Sequence, residues 1–199
     1  MKKYFIFTCL ILLCAFHQNS FSKDKPGKFD FPVVSIKAGY HTGDNSGIDH
    51  FPHGFSIDGT LEVPTGKSWF VGFNYDLSYA YSYEKEWYLS YPVSKNYTNY
   101  SFTPFVKYRF VIKNWAIYLA AGIGGSKMVV RSDNGTDKDG MVSSNIRIGA
   151  DYLVANSIIL SGEGVYHTMA GLDVGGGGRQ NEFLQFKLGA GILFNFAEK

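Results

Sequence analysis

The side chains of this chain that could carry chemistry are ionisable residues set at alternate positions within apolar segments. Lys107 and Arg109, for example, alternate with Val106, Tyr108 and Phe110. Ten such residues carry five positive and five negative charges: Lys37, Lys107, Arg109, Arg147, Lys187, Asp58, Glu62, Asp76, Asp151 and Glu163. Opposite charges can pair when they are enclosed away from water, whereas a buried charge that loses its partner costs roughly 3 to 5 kcal/mol. We therefore predict a paired network with a structural role.

A second group of chemically capable side chains lies around the first predicted loop. It consists of His41, His50, His53, Asp44, Asp49 and Asp58. The spacing matches neither the Cys and His pattern of a structural zinc site nor the oxygen-ligand pattern of an EF-hand. We therefore predict solvated loop residues, with no metal site and no cofactor.

The elements that must position these side chains show a period of two. From Trp69 to Tyr81 every second residue is aromatic or aliphatic, and the residues between them include Gly72, Asn74 and Asp76. The alternation recurs in eight segments, at about residues 33–41, 55–63, 69–81, 100–112, 115–129, 142–154, 158–168 and 183–196. Such a period is typical of β-strands with one apolar face. The sequence predicts an all-β protein, an eight-stranded antiparallel up-and-down transmembrane β-barrel of an outer membrane.

Residues 1–22 have the pattern of a secretory signal peptide. Two lysines precede an apolar run from Tyr4 to Phe16, and a small-x-small cleavage site follows at residues 20–22. Removing the two lysines from 19 basic residues leaves 17 against 17 acidic ones in the predicted barrel domain, residues 23–199. Cys9 and Cys14 are removed with the same segment. A neutral domain lacks the basic surface that nucleic-acid binding requires.

The predicted links between segments alternate between short and long. The short ones fall near residues 63–67, 113–114 and 155–157, and the long ones near 41–54, 82–99, 131–141 and 170–181. In outer-membrane barrels the short turns face the periplasm and the long loops face outward. The second long loop carries Trp87, Tyr88 and Tyr91, which we predict to form a contact surface for an unidentified extracellular ligand. The alternative is that its two strands project beyond the membrane as a rigid sheet.

Three features favour a membrane barrel over a soluble lipocalin-like binder, which also has eight alternating strands. The polar face carries few charges, and these balance at five against five. Aromatic residues collect near both ends of the segments, as in the girdles of a membrane barrel. The last segment resembles the Gly-x-x-aromatic-x-aromatic ending that outer-membrane proteins present to the barrel assembly machinery. The chain thus resembles small OmpA/OmpX-type outer-membrane β-barrel domains. The resemblance implies that Gly191, Phe194 and Phe196 form an assembly signal and that the assembly machinery is a partner.

An enzymatic alternative comes from residues 165–172, which are similar to the penultimate-strand motif of lipid A 3-O-deacylases. That family has His-x-Ser, with a later Glu that orients the histidine. In one register His167 is the base, but Met169 replaces the nucleophile. Shifting by one residue puts Thr168 at the nucleophile and Tyr166 at the base, while Glu182 keeps the spacing of the third group. Neither register supplies every group, so we predict no catalytic residues.

The interior of an eight-stranded barrel is just wide enough for side chains to fill. We therefore predict a non-enzymatic integral outer-membrane protein with a filled polar lumen. Its expected roles are envelope integrity or surface contact through extracellular loops. Its expected partners are outer-membrane lipid and lipopolysaccharide, and we expect a monomer. The alternatives are the lipid A-modifying enzyme and, more distantly, the lipocalin-like binder.

Overall fold

The structure, a computed structural model, describes residues 27–43, 53–84, 93–133, 135–171 and 180–194. Within these ranges the chain forms eight strands: β1 (Val33–Gly43), β2 (Gly54–Pro64), β3 (Trp69–Glu84), β4 (Val93–Ile112), β5 (Trp115–Ser132), β6 (Gly135–Ala155), β7 (Ile158–Gly171) and β8 (Gln180–Leu193). Each strand pairs antiparallel with the next, and β8 pairs with β1, so the sheet closes into a barrel. No helix in these ranges is long and apolar enough to cross a membrane.

Alternation of side chains along each strand separates an apolar outer face from a polar inner face. On β1, Ile36 points outward and is 62% exposed, whereas the next residue, Lys37, points into the barrel and is 2% exposed. On β8, Leu188 is 76% exposed and Lys187 is 3% exposed. Large apolar groups outside and charged groups inside invert the arrangement of a water-soluble protein.

Two apolar clusters lie inside the barrel, one near each end. The short-turn cluster comprises Phe29, Val33, Ala116, Leu153, Ile159 and Leu193, with Phe31 packed against it. The hairpin-end cluster comprises Ala80, Tyr97, Met128, Met141, Met169 and Phe183, with Val130 packed against it. The polar and charged lumen lies between these two layers, because the inward residues of each strand pass from one cluster through it to the other.

The strand ends differ from the sequence prediction on the side opposite the short turns. The prediction of a loop at 131–141 is wrong, because residues 135–141 belong to β6. They pair with β5, and the last pair is Ser132 with Gly135. Strand β4 likewise begins at Val93, seven residues before the predicted start. Backbone pairing in water needs no apolar face, so the period of two fades where the strands still continue.

Outward-facing Pro104 interrupts one ladder in the middle of the barrel. Its ring nitrogen cannot donate a hydrogen bond, and the pairing of β4 with β5 passes from Phe102–Gly125 to Phe105–Gly122 without the two residues between. On its other side Pro104 still lies opposite Phe73 of β3. At this point β4 therefore remains paired with β3, although its pairing with β5 is interrupted.

Candidate functional site in the barrel lumen

All ten charged residues singled out from the sequence point into the lumen, and none is more than 6% exposed. They come from seven of the eight strands: Lys37, Asp58, Glu62, Asp76, Lys107, Arg109, Arg147, Asp151, Glu163 and Lys187. A narrow barrel brings inward residues of distant strands together across its axis. The ion pairs within the set join partners up to 129 positions apart in sequence.

Four of these residues form a cluster next to the short-turn end. Lys107 Nζ lies 2.9 Å from Glu62 Oε1 and 3.3 Å from Asp151 Oδ2. Arg109 Nη2 lies 2.8 Å from Glu62 Oε2 and 3.0 Å from the same Asp151 oxygen. Each cation thus contacts both carboxylates, and the cluster is electrically neutral.

The remaining cations are distributed over two smaller groups. Lys187 donates to Asp58 Oδ2 at 2.7 Å and also to Asp76, which accepts a further bond from Ser78. Lys37 Nζ donates to Glu163 Oε2 at 2.9 Å. The first group carries one excess negative charge and the second is neutral.

Arg147 is held by a different set of contacts. Its Nε donates to Asn145 Oδ1 at 3.0 Å, and its guanidinium carbon lies 5.0 Å from the centroid of the Phe105 ring. Its positive charge balances the extra carboxylate of the Lys187 group, so the ten charges sum to zero.

A glycine makes room for the aromatic side chain that completes the Glu163 site. Tyr118 lies directly across from Gly149 in the ladder of β5 and β6, and its hydroxyl donates to Glu163 Oε2 at 2.7 Å. A Cβ atom at Gly149 would lie 2.5 Å from the Tyr118 ring. Because Gly149 has no side chain, the Tyr118 ring can lie over the Gly149 backbone and reach the Glu163 carboxylate.

Residues that precede β1 close the short-turn end of the lumen, a feature that the sequence reasoning missed. Phe29 is 1% exposed, and its carbonyl accepts a bond from Arg109 Nη1 at 3.2 Å. The Arg109 guanidinium also lies 4.1 Å from the centroid of Phe70. Lys28 Nζ donates to Asn114 Oδ1 at 2.9 Å, which fastens the segment to the turn between β4 and β5. The available signal was an aromatic residue between Lys28 and Asp30.

In the register with His167 as the base, the groups of the deacylase-like alternative are divided between two faces of the sheet. His167 points into the lumen and is 2% exposed, with its ring 4.6 Å from that of Phe183. Glu182 lies on the outer face, where it accepts a bond of 2.5 Å from the Tyr166 hydroxyl. Thr168 Oγ1, also on that face, lies 2.6 Å from Ser144 Oγ. The structure therefore does not bring His167 and Glu182 together. The groups of the shifted register do share the outer face, where Thr168 lies opposite Glu182 and Tyr166 is hydrogen-bonded to it.

The first-loop histidines and aspartates are also not assembled in the part of the chain that the structure describes. The prediction of solvated loop residues is wrong for two of them, because β1 and β2 carry His41 and Asp58 into the lumen, where both are buried and Asp58 is ion-paired. His53 is exposed. No group of three His, Cys, Asp or Glu residues that could hold a metal occurs among the described residues. The other three, Asp44, Asp49 and His50, lie outside the described ranges.

Only some of the candidate residues for the assembly signal and the loop contact surface lie within the described ranges. Gly191 is buried on β8, and a Cβ atom there would lie 2.9 Å from that of Ser35. Phe194 is 39% exposed on the outer face, and its backbone nitrogen donates to the Pro32 carbonyl at 2.9 Å. Four of the candidates lie outside the described ranges: Phe196, Trp87, Tyr88 and Tyr91.

A family model for the outer membrane protein beta-barrel domain matches residues 8–194 of this sequence. The chain belongs to that family. Membership confirms the resemblance to small OmpA/OmpX-type barrels and the outer-membrane location, and it shows that the lipocalin-like alternative is wrong. Comparison with curated proteins gives no match.

Solved structures of other outer-membrane proteins have the same architecture. Neisserial surface protein A is similar over 86% of this chain and 100% of its own, with 14% identity and a TM-score of 0.61. OprG from Pseudomonas aeruginosa is similar over 86% and 100%, with 11% identity and a TM-score of 0.57. Ail of Yersinia pestis, in complex with the heparin analogue sucrose octasulfate, is similar over 82% and 99%, with 17% identity and a TM-score of 0.51. At these identities the likeness is one of fold, and it confirms the predicted eight-stranded barrel.

Proposed function

We propose that this protein is a closed, non-enzymatic barrel that strengthens the outer membrane and acts at the cell surface through structures outside its lumen. The observation that carries the proposal is the filling of the lumen. Buried ion pairs occupy its middle, and an apolar cluster lies near each end. A solute could pass only by displacing the Phe29 segment and separating paired charges, each step at a cost of several kcal/mol.

The surface that projects beyond the membrane carries a row of cations on its outer face. In the hairpin of β5 and β6, Lys127, Arg131 and Lys138 are exposed. Lys138 lies opposite Val129, so it is level with the midpoint between Lys127 and Arg131. At about 3.3 Å per residue those two positions are roughly 13 Å apart.

The position of these cations favours lipopolysaccharide phosphates as their partner. Ile123, two outward positions before Lys127 on β5, is 65% exposed and belongs to the apolar band. The cations therefore begin where the hydrocarbon-facing surface ends. In the orientation of outer-membrane barrels, with short turns in the periplasm, this is the level of the outer-leaflet headgroups. Basic side chains near a membrane surface contribute about 1 kcal/mol each to contacts with anionic lipid.

The remaining parts of the proposal follow from the sequence. Residues 1–22 direct secretion and are removed, and residues 23–199 form the barrel domain. The C-terminal residues Gly191, Phe194 and Phe196 are recognised by the barrel assembly machinery. The folded protein is a monomer whose loop residues Trp87, Tyr88 and Tyr91 are available to an extracellular ligand.

Conductance measurements test the closed lumen. The purified processed protein, residues 23–199, inserted into a planar lipid bilayer, is expected to give no stable channel openings. Regular openings of wild-type protein that pass ions would overturn the proposal. Lipid A mass spectrometry of cells with and without the protein tests the non-enzymatic part, since loss of one acyl chain in the expressing cells would overturn it.

Binding of lipopolysaccharide tests the cationic row. A variant with Lys127→Gln, Arg131→Gln and Lys138→Gln is expected to retain at least tenfold less lipopolysaccharide after detergent exchange than the wild type. Lys113→Asn is the matched control, because Lys113 is exposed in a turn at the other end of the barrel, with a φ of 58° that asparagine tolerates. Equal retention by the triple variant and the wild type would contradict a phosphate contact at this hairpin.

A further inference from the structure

The methionines of the chain converge on one layer of the lumen. The sequence has four, of which one is Met1. The other three, Met128, Met141 and Met169, lie on three successive strands and belong to the hairpin-end cluster, each at most 3% exposed.

The strand register makes these methionines neighbours. Met141 lies opposite Ser126 of β5, so Met128 is its diagonal neighbour on that side. Ser143 lies opposite Met169 of β7, so Met169 is the diagonal neighbour of Met141 on the other side. Diagonal positions in antiparallel strands are about 7 to 8 Å apart, within reach of long side chains.

A histidine that could coordinate a metal ion through its ring nitrogen lies beside these three methionines. His167 is the inward residue before Met169 on β7 and is 2% exposed. Its ring stacks on Phe183, a member of the same cluster. The Nε2 atom has no hydrogen-bond partner among the described residues. A buried polar nitrogen without a partner costs free energy, and an apolar plug alone gives no reason to keep it there.

We propose that Met128, Met141 and Met169, together with His167, form a binding site for a soft monovalent cation, Cu(I) or Ag(I). Thioether sulfur is a soft ligand that selects Cu(I), and imidazole is a common copper ligand. Among the described residues, no group of three His, Cys, Asp or Glu side chains offers the ligands of a hard divalent ion. The site lies at the hairpin end, and the ion-pair network separates it from the segment that closes the short-turn end.

The competing explanation is that the methionines only fill space, since their flexible side chains suit irregular gaps. Substitution by leucine separates the two explanations, because leucine conserves volume and removes the sulfur. The variant to compare is Met141→Leu with Met169→Leu. Val130→Ile is the matched control, because Val130 packs against the same cluster and contributes no ligand atom.

The experiment uses the folded processed protein, residues 23–199, in detergent. It is titrated with Ag(I) and, in a separate measurement under reducing conditions, with Cu(I) in competition with a chromophoric chelator. We expect one ion per chain for the wild type and the Val130→Ile control, and at least tenfold weaker binding for the double variant. Methyl NMR of the wild type provides a second readout that needs no variant, since Ag(I) is expected to shift the methyl signals of all three methionines. Unchanged methyl signals, or equal binding by the double variant and the wild type, would overturn the proposal.

Discussion

Removal of one carboxylate charge from the four-residue cluster tests whether the lumenal ion pairs hold the barrel together. Glu62 contacts Lys107 Nζ through both of its oxygens, at 2.9 and 3.0 Å, and Arg109 Nη2 at 2.8 Å. Glu62→Gln keeps the shape of the side chain and removes its charge. Two buried cations are then left with Asp151 as the only carboxylate of the cluster.

The expected loss follows from the burial of all four groups. Breaking a buried ion pair by removing one partner costs about 3 to 5 kcal/mol. Because glutamine retains one acceptor oxygen, we expect the lower end, about 3 kcal/mol. At about 1.4 kcal/mol for each factor of ten, the equilibrium between folded and unfolded protein shifts roughly 100-fold.

The assay is reversible urea unfolding of the barrel in lipid vesicles, followed by tryptophan fluorescence. Asp137→Asn is the matched control, because Asp137 is exposed on the β5–β6 hairpin and asparagine can still accept the bond from Lys138 N. We expect the control to change the unfolding free energy by less than about 0.5 kcal/mol. A Glu62→Gln variant as stable as this control would refute the reasoning.

A double-mutant cycle sharpens the test. Arg109→Met combined with Glu62→Gln leaves Lys107 and Asp151, which lie 3.3 Å apart and balance each other. The double variant is therefore expected to be less destabilised than the sum of the two single variants, by at least about 1 kcal/mol. Strict additivity would contradict a shared network.

Three further predictions concern other parts of the barrel. Gly149→Ala places a methyl group 2.5 Å from the Tyr118 ring and should cost about 1 to 3 kcal/mol of unfolding free energy, whereas Gly59→Ala, with no atom near its added Cβ, should cost far less. Ile148→Lys puts a charge on an outer position that is 63% exposed and should cost about 2 to 4 kcal/mol in vesicles, while Thr136→Lys, beyond the apolar band, should be near neutral; equal effects would contradict a hydrocarbon environment at Ile148. Phe29→Ala removes a buried ring whose centroid lies 5.6 Å from the Arg109 guanidinium carbon, and it should cost about 3 kcal/mol or more in the same unfolding assay; wild-type stability would contradict a packed closure.

The faces of the strands could be predicted from the sequence because lipid and lumen impose opposite demands on successive residues. Lys37 and Ile36, for example, could be assigned to opposite faces from the alternation alone. The partner of each charge could not be predicted in this way. Whether Lys37 pairs with Glu163 or with Asp151 depends on the stagger of the eight strands and on which side chains reach across the barrel axis. The alternation of residues along the sequence reveals neither.

Three other features could not be predicted from the periodicity of the sequence. The β5–β6 hairpin continues past Met141 because backbone pairing persists in water, where no apolar face is required. The Phe29 segment closes the lumen without belonging to any strand, so no period marks it. The convergence of Met128, Met141 and Met169 likewise depends on register and became visible only in the folded barrel.

The most direct test of the account is the surroundings of its outer face. Single cysteines can be introduced at Ile148, which points outward in the apolar band, and at Asp137, which is exposed on the hairpin. After spin labelling in lipid vesicles, the label at position 148 is predicted to collide with oxygen and to be shielded from an aqueous nickel reagent, with the reverse at position 137. A label at position 148 that is open to the nickel reagent and shielded from oxygen would contradict the account.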